Sequence, residues 1–198
     1  MNDAAVDFIL ESLSPRPINN RGLIKRPSFY NDVDSWRRVL AYATTLFGVA
    51  PLLAVIERSS WKSDIPEAVL NVFQTALSHE RMKLAILDEE LELSLTALLE
   101  KDISVIILKG MDLGRRIYPD RIFRPMSDVD LLVPLNLFQE ASNALESAGF
   151  NPIGKICRRH GRPQMEFSRS GAWPVVELHS YIRFGEVRDM RAEMGAVW

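Results

Sequence analysis

The sequence has little cysteine, no long apolar run and no excess of basic residues, and each shortage excludes a class of protein. Its 198 residues include one cysteine, Cys157, which excludes an intrachain disulfide and a cysteine-rich zinc site. No apolar run approaches the ~18 residues that a membrane-spanning helix needs. The N-terminal segment carries two early acids and lacks the apolar stretch of a signal peptide. We therefore expect a cytoplasmic protein with no membrane partner.

The charge balance argues against nucleic acid as a partner. The chain has 24 Lys and Arg against 26 Asp and Glu, which gives a formal net charge of −2 and a pI near 6.0. Proteins that bind the phosphate backbone of DNA or RNA independently of sequence need a basic surface. The hydrophobic content of 47% and the charged content of 25% are typical of a globular protein with an apolar core.

The first half of the chain, residues 1–102, is predicted to be helical. Apolar residues recur at helical spacing over residues 69–99, which predicts one unusually long helix, and Pro66 suits its first turn. An earlier helix should break before Pro51. We interpret this half as a helical region that packs on a core formed by residues 103–198.

Strands and helices alternate in the second half. "SVIILKG" and "DVDLLVP" are predicted strands, each followed by a helix, and the strand in "SVIILKG" should end at its glycine. "PQMEFSRSG" and "WPVVELHSYI" alternate as the two strands of a hairpin. The order strand, helix, strand, helix, strand, strand predicts an α/β or α+β core.

One of these predicted strands carries two acidic residues. In "SDVDLLVP", the apolar residues Val129, Leu131 and Val133 alternate with Asp128 and Asp130. Period-2 alternation puts both aspartates on the same side of the strand, away from the core, with their Cβ atoms roughly 7 Å apart. Aspartate is rare in strands, and two carboxylates this close repel each other unless a cation lies between them. The pattern therefore predicts a cation site.

A third carboxylate is expected from a neighbouring strand. In "VVELHSYI", Val176 and Leu178 share the core face, so Glu177 and His179 share the opposite face. Glu177 is the candidate third ligand of Mg²⁺ or Mn²⁺, because hard cations prefer oxygen donors. His179 is either a contact of the metal site or its phosphates, or a structural histidine. Without a metal the acids should repel each other, so the pKa of at least one carboxyl group should be raised.

Three residues that precede the aspartate strand are candidates for phosphate binding. Gly110 would let a phosphate approach the backbone where a strand leads into a helix. Lys109 either reaches the phosphates or is simply exposed to water. Arg124 either binds a triphosphate or pairs with Asp128.

A strand ending in glycine, a helix and a strand with Asp-x-Asp resemble the nucleotidyltransferase superfamily that includes DNA polymerase β. More narrowly, "LKG", "YP" and "RPMSDVDLLV" resemble a bacterial family of uncharacterised nucleotidyltransferases, some encoded beside lasso-peptide and other peptide-modification genes. The resemblance implies an α+β fold with a mixed sheet flanked by helices. It also implies two Mg²⁺ ions held by three carboxylates, and an NTP as donor.

The function expected from this resemblance is Mg²⁺-dependent transfer of a nucleoside monophosphate from an NTP to an acceptor, with release of pyrophosphate. Asp128 and Asp130 would hold the metals, and Glu177 would help to position the nucleophile of the acceptor. The acceptor stays open between a small molecule, a peptide, a protein hydroxyl and, least expected from the charge, tRNA.

The sequence departs from the superfamily pattern in three places. Residues 111–127 form a longer spacer than most superfamily members have, and the other two departures favour a non-catalytic interpretation. "KGM" replaces the usual Gly-Ser, so the serine that would contact phosphate is missing, and the chain ends at Trp198 in a segment typical of a helix start. A core cut short at this end is therefore expected. The alternatives are a non-catalytic binding or scaffold module in a peptide or small-molecule biosynthetic complex, and a glycosyltransferase whose Asp-x-Asp binds Mn²⁺ and a nucleotide sugar.

Overall fold

The computed structural model describes residues 4–5, 7–8, 26–46, 48–57, 59–118, 120–159 and 162–181. Within these ranges, the protein combines helices with one five-stranded mixed sheet, and the N-terminal half is helical. The predicted α+β class is therefore confirmed. The chain forms two compact units. The first contains the described residues up to Lys83 together with Tyr118–Pro125. The second contains Leu84–Ile117 and the described residues from Met126 onward.

Helices build the first unit around a core rich in aromatic rings. The helices are α1 (Val33–Leu46), α2 (Val49–Glu57) and the N-terminal part of α3 (Glu67–Leu99). Trp36 is almost completely buried, and its ring lies 5.4–5.8 Å from the rings of Phe8, Phe29 and Phe73 in edge-on geometry. Edge-on contacts of this kind stabilise a core beyond the burial of apolar area.

The helix ends in this unit follow the signals in the sequence. α3 runs for 33 residues, as the apolar spacing predicts, and the carbonyl of Pro66 accepts the first hydrogen bonds of its initial turn. The chain leaves α1 through Gly48, whose φ of 82° favours glycine. The break before Pro51 is thus confirmed, and Pro51 lies in the first turn of α2, where its missing N–H costs nothing.

The sheet belongs to the second unit. Its strands are β1 (Ile106–Ile107), β2 (Asp128–Leu132), β3 (Asn151–Arg159), β4 (Arg162–Ser168) and β5 (Val175–His179), in the order β1-β2-β5-β4-β3. The central pair β2–β5 is parallel, and the other three pairs are antiparallel. The predicted hairpin of β4 and β5 is confirmed. The helices of this unit are the C-terminal part of α3, α4 (Lys109–Arg116) and α5 (Phe138–Ser147).

Two details of the sheet differ from the sequence-based prediction. β3 is an edge strand that the sequence pattern did not indicate, because Pro152 and Gly154 interrupt it and most of its described side chains are exposed. The first strand is shorter than predicted. β1 ends at Ile107 and α4 begins at Lys109, so Gly110 lies inside a helix rather than at a strand end.

The two faces of β2 and β5 are unlike, as their alternation predicts. Val129, Leu131, Val176 and Leu178 are fully buried in the core of this unit, together with residues of α3 such as Leu91. The acidic residues of both strands occupy the opposite face. Sheet alternation therefore separates the side that stabilises the fold from the side that carries the charges.

The predicted domain boundary at residue 102 falls in the turn after α3. A division at this point into a helical region and a core stays a prediction, and the expected early end of the core concerns residues 182–198, which lie outside the described ranges. Among the described helices, none is both long and apolar enough to cross a membrane.

Candidate functional site

The parallel pairing of β2 and β5 brings three polar side chains together. In its register, Asp130 is the partner of Glu177, and Leu132 is the partner of His179. Partner residues in a sheet point to the same side, so Asp130, Glu177 and His179 share the face opposite the core. These three residues form what we call the acidic cluster.

The distances within the acidic cluster are short. Nε2 of His179 lies 2.7 Å from Oδ1 of Asp130 and 3.3 Å from Oε2 of Glu177. One ligand atom from each of the three residues lies within 4.8 Å of the others. The Asp130 side chain is only 2% exposed. Two carboxylates and an imidazole converging in this way provide donors that fit a small divalent cation such as Mn²⁺ or Mg²⁺.

Lys109 supplies a positive charge to the same cluster. Its Nζ lies 2.5 Å from Oδ1 of Asp130 and 4.0 Å from Oε2 of Glu177. The N–H of the preceding Leu108 donates to the carbonyl of Asp130 at 2.9 Å, which ties the start of α4 to β2. Lys109 itself has a φ of 47°, a left-handed conformation that side chains rarely adopt.

Burial and charge shift the pKa values of the cluster in opposite directions. Burial would raise the pKa of Asp130, but the hydrogen bonds from His179 and Lys109 outweigh it and leave that pKa lowered. Burial would lower the pKa of His179, but its hydrogen bonds to Asp130 and Glu177 outweigh it and leave that pKa raised. The cluster therefore favours a charged Asp130 beside a protonated His179.

Asp128 lies next to the acidic cluster in a different electrostatic environment. It is partly buried, and it is outside the set of three residues whose ligand atoms converge. Burial raises its pKa, and repulsion from Asp130 and Glu177 raises it further, while Lys109 acts in the opposite sense. The expectation that at least one carboxyl pKa is raised without a metal is confirmed.

Two predicted phosphate contacts have other contacts in the structure. A Cβ on Gly110 would lie 2.7 Å from Cγ of Met126, so close packing explains why this position has no side chain. Nη1 of Arg124 donates to the carbonyl of Pro125 at 2.8 Å within the first unit. Contacts of Gly110 and Arg124 with phosphate stay predictions.

Two residues near the site were missed by the sequence reasoning. Nε2 of Gln164 donates to Oε2 of Glu177 at 3.3 Å, and this contact depends on the register that makes Gln164 on β4 the partner of His179, which no local pattern indicates. Nε1 of Trp173 donates to the carbonyl of Ser127, directly before the aspartate strand, at 2.9 Å. No local pattern points to Trp173, since this contact joins residues 46 positions apart.

The protein has an α+β fold in which the two parallel strands of a mixed sheet carry the acidic cluster. The donors of this cluster are suited to a divalent cation. The family model described as "Uncharacterised nucleotidyltransferase" matches residues 32–188, and the chain belongs to this family. Membership supports a role in nucleotidyl transfer. No curated protein and no solved structure matches the chain.

Proposed function

We propose that this protein is a divalent-metal-dependent nucleotidyltransferase that moves a nucleoside monophosphate from an NTP to an acceptor and releases pyrophosphate. The observation that carries the proposal is the convergence of Asp130, Glu177 and His179 within 4.8 Å in a member of a nucleotidyltransferase family.

The metal ion, Mg²⁺ or Mn²⁺, would be held by Asp130, Glu177 and His179. Asp128, two residues before Asp130 on β2, would add its negative charge to the site. The carboxylate oxygens suit either ion, and the imidazole nitrogen favours Mn²⁺, which accepts nitrogen ligands more readily than Mg²⁺. When bound, the ion would neutralise the charge that develops on the transferred phosphoryl group.

Asp128 is the residue we assign to the proton of the acceptor. The acceptor oxygen forms a bond to the α-phosphorus of the NTP, and the bond to the bridging oxygen breaks, so that pyrophosphate leaves with the electron pair. The hydroxyl proton passes to the carboxylate of Asp128. Burial and repulsion from Asp130 and Glu177 raise the pKa of this carboxyl group, whereas the pKa of Asp130 is lowered, so Asp128 is the better proton acceptor of the two.

Lys109 and Gly110 are proposed to face the phosphates of the donor. The Lys109 side chain is 58% exposed while its ammonium contacts Asp130, so this side chain borders both the cluster and solvent. The acceptor is proposed to be a small molecule, a peptide or a protein in the cytoplasm. The net charge of −2 makes a nucleic-acid acceptor the least favoured choice.

One observation favours a non-catalytic binding module as the second candidate. Lys109 and His179 already donate hydrogen bonds to Asp130, so this buried carboxylate is neutralised by the chain itself. A module of this kind would bind a nucleotide or a partner without turning it over.

Pyrophosphate release separates the two candidates. Each labelled NTP is incubated with Mn²⁺ or Mg²⁺ and with pools of small-molecule and peptide acceptors, and both pyrophosphate and labelled acceptor are measured. Asp130→Asn should lower the rate by about a hundredfold or more, because a charge held in place at the site is lost. Glu146→Gln, an exposed change on α5, is the matched control and should leave the rate unchanged. Nucleotide binding without pyrophosphate release from any NTP would favour the binding module.

A further inference from the structure

The ammonium group of Lys109 would repel a metal ion bound to the acidic cluster. Its ammonium contacts the same Asp130 Oδ1 that also contacts His179, and it lies 4.0 Å from Glu177 Oε2. All three residues of the acidic cluster are therefore within a few ångströms of this one cation. A divalent ion held by them would share an oxygen with the ammonium.

At this oxygen, a divalent ion would repel the Lys109 ammonium more strongly than the protonated His179 that already contacts it, because the ion carries twice the charge. The Asp130 side chain is 2% exposed, so water screens the repulsion far less than it would at the surface. A divalent ion also gains more than an ammonium from several carboxylates, because it has twice the charge and binds each oxygen directly.

We propose that Lys109 is the resident counter-cation of the acidic cluster, and that a divalent ion entering the cluster displaces its ammonium toward the phosphates of the donor. The inference rests on the proposed function and extends it to an order of events, in which metal binding precedes tight nucleotide binding. Lys109 thus exchanges one anionic partner for another.

The geometry of Lys109 suits an exchange of this kind. Its side chain is 58% exposed, and its flexible four-carbon stem lets the ammonium move while the backbone stays in place. The backbone is held by the hydrogen bond from Leu108 N–H to the Asp130 carbonyl. A φ of 47° at a non-glycine residue is unfavourable, and such conformations persist where the surrounding structure holds them, often at functional sites.

Binding of Mn²⁺ alone tests the displacement without any enzyme activity. Titration calorimetry compares the wild type with Lys109→Met and with Lys101→Met, an exposed lysine in the turn after α3 that serves as the matched control. Removal of the competing ammonium should tighten Mn²⁺ binding by about tenfold, because one charge is lost a few ångströms from the ion. Lys101→Met should bind like the wild type.

Chemical labelling of the wild-type protein gives a second measurement that does not depend on the variant. Acetylation of Lys109 and Lys101 is followed by mass spectrometry with and without saturating Mn²⁺. An ammonium hydrogen-bonded to carboxylates reacts slowly, so Mn²⁺ should accelerate acetylation of Lys109 by several fold and leave Lys101 unchanged.

The outcomes distinguish failure of this inference from failure of the proposed function. Unchanged or weaker Mn²⁺ binding in Lys109→Met overturns the displacement, as does an acetylation rate of Lys109 that saturating Mn²⁺ leaves unaltered. Absence of Mn²⁺ binding from both the wild type and Lys109→Met overturns the inference and the metal-dependent function together. Displacement of Lys109 without transfer from any NTP supports the inference and contradicts the enzyme.

Discussion

Asp128 and Asp130 lie two residues apart on one strand, yet the surrounding charges affect them in opposite ways. Asp130 accepts hydrogen bonds from Lys109 and His179 and has a lowered pKa, whereas Asp128 has a raised pKa from burial and carboxylate repulsion. Asp130→Asn should therefore destabilise the metal-free protein by about 1–3 kcal/mol, since the buried His179 loses a charged acceptor. Asp128→Asn should leave its stability unchanged or raise it, because the repulsion is relieved.

Urea denaturation in the presence of a chelator measures both changes, and thermal melting with Mn²⁺ adds a second readout. Metal that binds the native state stabilises it by mass action, so Mn²⁺ should raise the melting temperature of the wild type but not of Asp130→Asn. A larger loss of stability in Asp128→Asn than in Asp130→Asn would contradict the assignment and indicate a structural partner for Asp128.

The protonation of His179 predicts a pH dependence of stability without metal. The pKa of His179 is raised above its ordinary value of 6.5 in the folded state by its carboxylate partners. The stabilisation from protonated His179 is therefore fully present below about pH 6.5 and is lost as the pH rises through the higher folded-state pKa. The free energy of unfolding of the wild type should fall over this range.

His179→Gln should flatten this fall in stability, which urea unfolding at several pH values above 6 will show. His79→Gln, a change on α3 in the first unit, is the matched control and should keep the slope of the wild type. An equal slope in the wild type and His179→Gln would show that the imidazole gains nothing from Asp130 and Glu177.

Among the elements, α4 begins at a point where a side chain on Gly110 would collide with Met126. A Cβ on Gly110 would lie 2.7 Å from Cγ and 3.0 Å from Sδ of Met126, so Gly110→Ala forces that side chain to move. We expect a loss of about 1–3 kcal/mol, the usual cost of overpacking. The same shift would disturb Lys109, which immediately precedes Gly110, so Mn²⁺ affinity should change as well.

A double-mutant cycle with Met126→Ala measures this coupling by urea denaturation. Because Met126→Ala removes the atoms that an added Cβ would meet, Gly110→Ala should cost less in the Met126→Ala background than in the wild type. Equal costs in both backgrounds would show that Gly110 is needed for backbone conformation or ligand approach rather than for packing.

At the scale of the whole molecule, α3 contributes to the cores of both compact units. Its C-terminal part supplies Leu87, Leu91 and Leu98, which are at most 1% exposed, to the core of the sheet unit. A fragment of residues 101–198 lacks these side chains and should expose a large apolar surface. We expect it to be insoluble, whereas a fragment of residues 84–198 should be more soluble because it retains them.

Soluble expression and cooperative unfolding, followed by circular dichroism, compare the two fragments. A fragment of residues 101–198 that unfolds cooperatively would show that the sheet core is independent of α3. It would also support the division at residue 102 that the change in periodicity predicts.

Local patterns predicted much of the fold because they reflect local physical preferences. The spacing of apolar residues predicted α3, and the alternation of Val176 and Leu178 with Glu177 predicted the two faces of β5. The edge strand β3 was not predicted, because an edge strand can form without the regular alternation of apolar and polar residues that marks an internal strand. Its identity depends on pairing with β4 rather than on its own composition.

The sequence indicated the residues of the candidate site and predicted Glu177 beside the aspartates, but it did not indicate which side chains contact Asp130. Alternation placed Asp128 and Asp130 on one face of β2, and Glu177 and His179 on one face of β5, since side-chain direction along a strand is a local property. The register of β2 against β5 paired Asp130 with Glu177 and brought His179 within hydrogen-bond distance of Asp130. Register depends on contacts between distant segments, and so does the ion pair of Lys109 with Asp130, 21 positions apart. Alternation along each strand is thus enough to predict which side chains face away from the core. Pairing between distant segments sets which of them lie against Asp130, and it places Lys109 and His179 there rather than a second aspartate.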